Sequence, residues 1–306
     1  MELVTSADVE AAAARIGGRI RRTPVLAAAP GLLFKLEFTQ HTGSFKARGA
    51  FNRLLSAAEA GELPAAGIVA ASGGNAGLAF AYAARELGVP AEIFVPETAP
   101  AVKVARLRAL GARVVQIGSE YMEAHEAAVK RAADTGALYC HAYDQPAVVA
   151  GQGTVAVELL AQAGTVDTVL VSTGGGGLVG GIAAALAGRA RVVAVEPEQA
   201  PTLSAALEAG EPVDVPVSGV AADSLGARRA GAIAYGIAVR TGIRSALVSD
   251  EAIVDARRML WDRYRLLVEH GAAAAMAALA SGAYRPAADE RVAVILCGAN
   301  TDPSQR

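Results

Sequence analysis

From residue 68 onward, short apolar runs alternate with longer amphipathic stretches at a regular rhythm. Ile68-Val69-Ala70-Ala71 reads as a strand, 72–75 as a loop and 76–87 as a helix; strand 91–95, helix 100–110, strand 113–117, helix 119–135 and strand 137–141 follow. A second series starts at Pro146, with helix 146–162, strand 168–172, a glycine loop, helix 178–187 and strand 191–195. Short apolar strands alternating with helices predict an α/β fold in which parallel sheets are covered on both faces. Before this series the pattern gives a helix over about 6–20, an extended approach at Thr23-Pro24-Val25-Leu26 and a strand over 32–37. After it, the stretch 196–226 is looser, with a short helix near 202–208. Helices near 229–240 and 250–266, an Ala-rich helix from Gly271 and a last strand over 292–296 complete the chain. No linker separates two self-contained halves, so one lobe is expected to be inserted into the other.

With 306 residues, 53% of them hydrophobic, the chain can bury the cores of two lobes. The 28 basic and 30 acidic residues are interspersed and leave a formal charge of -2, which supplies no footprint for nucleic acid or an anionic membrane surface. The expected partner is a small molecule. Cys140 and Cys297 are far apart, so neither a disulfide framework nor a metal-ligand cluster is expected, and a reducing cytoplasm fits. Residues 1–17 lack the basic start and apolar block of a secretory signal, and no run has the length and purity of a membrane span.

Three stretches carry chemistry. In Thr42-Gly43-Ser44-Phe45-Lys46-Ala47-Arg48-Gly49-Ala50, a lysine set between an aromatic ring and small residues is partly desolvated, which lowers its pKa toward nucleophilic use and suits a Schiff-base lysine. The plainer reading is a surface lysine opening a helix through Leu55. Ser72, Gly73, Gly74, Asn75 and Ala76 join a strand to a helix, so their amides point from a helix N-terminus and suit a carboxylate; a tight turn capped by Asn75 satisfies the same residues. Gly174-Gly175-Gly176-Gly177-Leu178 follows a strand and opens a helix, and four successive residues without Cβ let the backbone wrap a phosphate. The same spacing, with Glu196 one βαβ unit on, also satisfies a dinucleotide fingerprint. Lys46 breaks that tie, because a nicotinamide enzyme has no use for it.

Preceded by Phe34-Lys35-Leu36-Glu37, the lysine segment resembles that of the serine/threonine dehydratase family of pyridoxal-phosphate enzymes, which includes serine racemase; the likeness spans 23–302 with every loop in family order. It implies a two-lobed, tryptophan-synthase-β-like (fold-type II) architecture of parallel sheets flanked by helices. A small lobe over 62–143 would be set into a large, cofactor-binding lobe made of 1–61 and 144–306, with pyridoxal 5'-phosphate between them. It further implies that Lys46 holds the cofactor covalently, Phe45 packs on its ring and Asn75 meets its ring hydroxyl. Gly174, Gly175, Gly176, Gly177 and Leu178 would take the phosphate, Cys297 would face the pyridine nitrogen, and the loop of Ser72, Gly73, Gly74, Asn75 and Ala76 would grip the substrate's α-carboxylate.

Other positions match or depart from the family pattern. Tyr143 supplies the aromatic residue found in threonine dehydratases, and Glu269 matches an acidic residue near the cofactor. Ala299 departs from the usual Ser-Gly-Gly-Asn around Cys297. At the family's divalent-cation position Glu196 and Ala200 are present, but Thr202 replaces the second carboxylate; a hard ion wants oxygen ligands and charge balance, so a monovalent cation or no ion is expected. No C-terminal regulatory domain is expected after residue 306. His141 and the other three histidines read as unclustered and structural; Arg228 and Arg229 read as solvating a helix start, with contact to an acidic substrate as the alternative.

The resemblance implies dehydrative deamination of L-threonine or L-serine to 2-oxobutyrate or pyruvate plus ammonia, by a cytoplasmic homodimer. Within the family the alternatives are an amino-acid racemase and a hydroxyaspartate dehydratase; outside it, a nicotinamide dehydrogenase and a catalytically silent cofactor-binding protein. Serine racemases carry a serine immediately before the Gly-Asn of the carboxylate loop, where this chain has Gly73.

Overall fold

The computed structural model describes residues 3–302 and 304, so Met1 and Glu2 of the N-terminal stretch, and Pro303, Gln305 and Arg306, lie outside the described residues. Helix α1 (Ser6–Ile16) starts on a capping box in which Thr5 Oγ1 accepts the Asp8 amide and the Asp8 carboxylate accepts the Thr5 amide. It ends at Gly17 and Gly18, short of the expected residue 20. Then come β1 (Val25–Ala29), β2 (Leu32–Lys35) and α2 (Lys46–Glu59). The regular series follows as β3 (Ile68–Ala71), α3 (Asn75–Leu87), β4 (Ala91–Val95), α4 (Ala101–Ala109), β5 (Arg113–Gln116), α5 (Tyr121–Thr135) and β6 (Leu138–Cys140). The second series is α6 (Pro146–Ala163), β7 (Thr168–Ser172), α7 (Gly177–Leu186), β8 (Arg191–Pro197) and α8 (Thr202–Ala209). The chain closes with α9 (Ala232–Thr241), β9 (Arg244–Val248), α10 (Asp250–Tyr264), α11 (His270–Ser281) and β10 (Val292–Ile295).

The strands make two sheets, a six-stranded one in the order β1-β2-β10-β7-β8-β9 and a four-stranded one in the order β5-β4-β3-β6. The smaller sheet is built wholly from residues 68–140, between α2 and α6. Two strands differ from the sequence reading. Residues 25–29 form an antiparallel edge strand against β2, not only an extended approach, so the larger sheet is mixed at one margin. Residues 244–248, which the sequence pattern leaves as a connection between helices, form the opposite edge, parallel to β8. Arg244 and Ser245 break the apolar run because an edge strand leaves part of its surface to solvent, and β9 is half-exposed over most of its length.

The larger core lies about β7, β8 and β10, with α7 buried along its whole length. Helices α6 and α7 touch backbone to backbone: a Cβ on Gly181 would overlap the Val149 carbonyl and the Gly153 amide. That contact seats the N-terminus of α7 at the carboxyl end of β7, in the middle of the sheet, where open α/β sheets bind their ligands. Behind the first turn of α2 lies a charged cluster in which Arg48, Glu37 and Lys35 are buried and Glu158 is partly exposed. Arg48 grips Glu37 through Nε at 2.8 Å and Nη2 at 2.6 Å and reaches Glu158 at 3.0 Å, while Lys35 donates to Glu158 at 2.6 Å and to the Thr23 carbonyl at 2.7 Å. Among the described residues no helix is long and apolar enough to cross a membrane.

Candidate active site

Lys46 is the first residue of α2, and the chain before it is stitched to the end of β10. Phe45 donates its amide to the Cys297 carbonyl at 3.0 Å, Ser44 bridges Gly298, and Ala299 donates to the Gly43 carbonyl at 2.9 Å. These bonds bring the lysine and the cysteine to one wall. Lys46 Nζ lies 5.0 Å from the centre of the Phe45 ring and donates to the Ala142 carbonyl at 2.9 Å. Burial pushes its pKa down to about 8, against the pull of Cys297 and Glu269. Burial pushes the Cys297 thiol far up, so that group is neutral at physiological pH.

The loop of Ser72 to Ala76 adjoins the cleft, which Asn75 lines. Gly77 in the first turn of α3 has no room for a Cβ, which would overlap the Ser72 carbonyl; the loop can therefore fold tightly onto its helix. Asn75 donates through Nδ2 to Glu269 at 2.8 Å and accepts through Oδ1 from Asn300 Nδ2 at 2.7 Å. Asn300 also donates to the Thr42 carbonyl at 2.8 Å, which helps hold Thr42 in a left-handed conformation with φ of 59°. Burial, with Asp223 adding to it, raises Glu269 to about 7 against its bonds from Asn75 and Asn300.

The tetraglycine loop packs closely against Tyr143. A Cβ on Gly175 would lie 2.5 Å from the Tyr143 ring, and one on Gly177 would lie 2.8 Å from the Tyr143 carbonyl. The amides of the first turn of α7 have no intrahelical acceptor and are left for a ligand. Phe45, Lys46, Asn75, Gly174 to Leu178 and Cys297 together line one cleft of about 470 Å³. Gly73, Gly74 and Asn75 line an adjoining recess of about 350 Å³ with Glu269 and Ser224, which also face the cleft. The remaining loop residues stand back from the recess: Ser72 Oγ accepts the Gly74 amide at 3.3 Å, and Ala76 is buried.

A basic amine and a neutral thiol on one wall, with the amides of the glycine loop lining the same cleft, form a donor set that fits pyridoxal phosphate. The divalent-cation position does not fit its ion. The carboxylate of Glu196 accepts the amides of Leu203 at 2.7 Å and Ser204 at 2.8 Å and the Ser245 hydroxyl at 2.6 Å, and the Thr202 hydroxyl turns to the Gly174 carbonyl at 2.6 Å. A hard cation would have to displace several of these donors. Dialysis against EDTA is therefore expected to leave activity within about twofold; a tenfold loss restored by magnesium would refute this.

Several contacts escaped the sequence reading. The histidines are not all apart: the His125 and His141 rings are 6.2 Å apart within a group that includes Tyr139 and Tyr143. His141 accepts the amides of Tyr143 and Asp144 at Nδ1, and burial pushes its pKa down to about 4. Lys103 and Arg106 of α4 line the recess with Gly73, Gly74 and Asn75, whereas Arg229 pairs with the exposed Asp214. The bridging amide of Asn300 had no signal beyond its place in the strand-end segment.

A family model described as pyridoxal-phosphate dependent enzyme matches residues 16–298. Phenylserine dehydratase of Ralstonia pickettii is 37% identical, over 99% of this chain and 96% of that protein. The L-threonine ammonia-lyase of Geobacter sulfurreducens is 37% identical, over 94% and 73%, and serine racemase of Bos taurus 36%, over 98% and 93%. Among solved structures, maize serine racemase superposes with a TM-score of 0.91 at 30% identity, covering 99% of this chain and 95% of that one. The T.th. threonine deaminase gives 0.88 at 37% identity, covering 97% and 99%.

Proposed function

Because the chain belongs to the family of pyridoxal-phosphate dependent enzymes, whose fold and cofactor it shares, we propose that it catalyses the dehydrative deamination of a β-hydroxy amino acid, L-threonine or L-serine, to the 2-oxo acid and ammonia. When bound, pyridoxal phosphate draws electrons from the α-carbon of the amino acid it holds, which makes the α-proton removable. The protein's own groups supply the rest. Lys46 is the covalent attachment and the base for the α-proton, with a pKa low enough to be partly unprotonated at neutral pH. The loop from Ser72 to Ala76 would hold the α-carboxylate, and Asn75 Nδ2 keeps a second proton for the ring hydroxyl. The amides of Gly174 to Leu178 would hold the phosphate. Cys297, a neutral thiol at the ring nitrogen, would leave the ring a weaker electron sink than a carboxylate partner would, favouring elimination. The small lobe of 62–143 inserted in the large one, the homodimer and the cytoplasmic location belong to the same proposal.

The observation that carries dehydration over racemisation is Gly73. If the α-carbon exchanges its proton with Lys46 alone, the original enantiomer returns; racemisation needs a second acid/base group on the opposite face, and Gly73 has no side chain to provide it. Racemisation stays as the second reading because Ser224 lines both cavities. Chiral chromatography of partly reacted L-serine decides between them. Negligible D-serine beside pyruvate is expected, and D-serine formed as fast as pyruvate would sink the dehydratase reading. A Cβ on Gly73 would meet Val95 Cγ1 at an ordinary 3.4 Å, so Gly73→Ser is expected to fold and to gain measurable D-serine. A 2-oxo-acid assay across threonine, serine, hydroxyaspartate and phenylserine, the last prompted by the name of the Ralstonia relative, identifies the side chain accepted at the β-carbon.

A further inference from the structure

We propose that Thr202 is a positioning residue for the glycine loop: its hydroxyl ties down the Gly174 carbonyl and thereby aims the next amide at the cofactor's phosphate. A loop of four glycines has no side chains with which to fix itself, and its backbone is unusually free. Each of its first three carbonyls is instead held by a different element. Gly231, ahead of α9, donates to the Gly175 carbonyl at 3.0 Å, and Gly180 within α7 donates to that of Gly176 at 2.9 Å. The Gly174 carbonyl is held by a side chain, Thr202 Oγ1 at 2.6 Å.

That hydroxyl has one proton and also lies 3.1 Å from Glu196 Oε1. The carbonyl is the nearer acceptor, so the proton is directed there. Glu196 sets the position of the hydroxyl, because its two oxygens accept the Leu203 and Ser204 amides that follow Thr202 at the start of α8. Both Thr202 and Glu196 are fully buried. A trans peptide is planar, so the C=O of Gly174 and the N–H of Gly175 point in opposite directions. A carbonyl drawn out toward α8 therefore turns the Gly175 amide into the cleft.

The inference rests on the proposal that the loop of Gly174 to Gly177 holds phosphate, and one titration separates the two. Apoprotein is titrated with pyridoxal phosphate and with unphosphorylated pyridoxal, following absorbance and Lys46-dependent borohydride trapping. Wild type is expected to prefer the phosphate ester; equal affinity for both would remove the phosphate role of the loop and this inference with it. Thr202→Val should weaken pyridoxal phosphate about tenfold and leave pyridoxal within about twofold, whereas Thr202→Ser should bind both as wild type does. An unchanged Val variant, an equal loss for both ligands, or a Ser variant as weak as Val overturns the role of the hydroxyl. If the Val variant fails to fold, Thr202→Cys, with a thiol that donates weakly, takes its place. Its affinity for the phosphate ester should fall below that of the Ser variant, and equality with wild type overturns the proposal.

Discussion

Lys46→Ala is expected to lose at least about a thousandfold in kcat, because one substitution removes both the covalent attachment and the base, and general-base loss alone accounts for about 10²–10⁴. The variant should also lack the visible absorbance band that borohydride abolishes in wild type. Turnover within tenfold of wild type would take Lys46 out of the mechanism. The pH dependence has a definite sign. An amine attacks a carbonyl only when unprotonated, and burial sets the pKa of this one at about 8. The rate at which apoprotein captures pyridoxal phosphate should therefore rise with pH through that region and level off above it. A capture rate that stays flat from pH 6 to 9 contradicts a buried, depressed Lys46.

Arg48→Met should produce the largest loss of stability. Arg48, Glu37 and Lys35 are fully buried, and the Arg48 guanidinium binds both Glu37 and Glu158. Removing one partner of a buried ion pair leaves an uncompensated charge and costs about 3–5 kcal/mol, far more than an exposed pair such as Lys130–Asp134 contributes. Arg48→Lys keeps the charge without the two-pronged grip on Glu37 and should fall between. Adding Glu37→Gln to Arg48→Met should recover part of the loss, since the orphaned carboxylate is then neutral. Urea denaturation of the apoproteins reads all four; a Met variant within about 1 kcal/mol of wild type would show that the cluster is dispensable. Because Arg48 lies two residues beyond Lys46 on the first turn of α2, the Met variant should also lose turnover under conditions in which it remains folded.

Sequence and structure divide along a physical line. The order of helices and strands over 68–141 and 146–195 was legible because a buried parallel strand is a short apolar run whereas a helix spaces its apolar residues at 3.6, and neither pattern depends on what it packs against. Strands β1 and β9 were harder to read because edge strands mix polar with apolar positions, and their pairing is settled by a neighbour remote in sequence. Lys46, the Gly174–Gly177 loop and the Asn75 loop were readable for a related reason: each is a contiguous run whose chemistry is carried by residue type and by the strand or helix beside it.

What the sequence by itself determined is therefore the fold class, the cofactor and the local stretches that would meet it. Tertiary structure alone decided how those stretches are held. Asn300 reaches Thr42 across 258 positions of chain to steady the strained approach to Lys46, and it is bonded to Asn75 as well. Arg48 finds Glu158 110 positions away, and Thr202 finds Gly174. Hydrogen bonds and buried charges act over a few ångströms and have no sequence period. A single Asn, Thr or Arg therefore gives no sign of its partner until the sheets and helices have brought the two together.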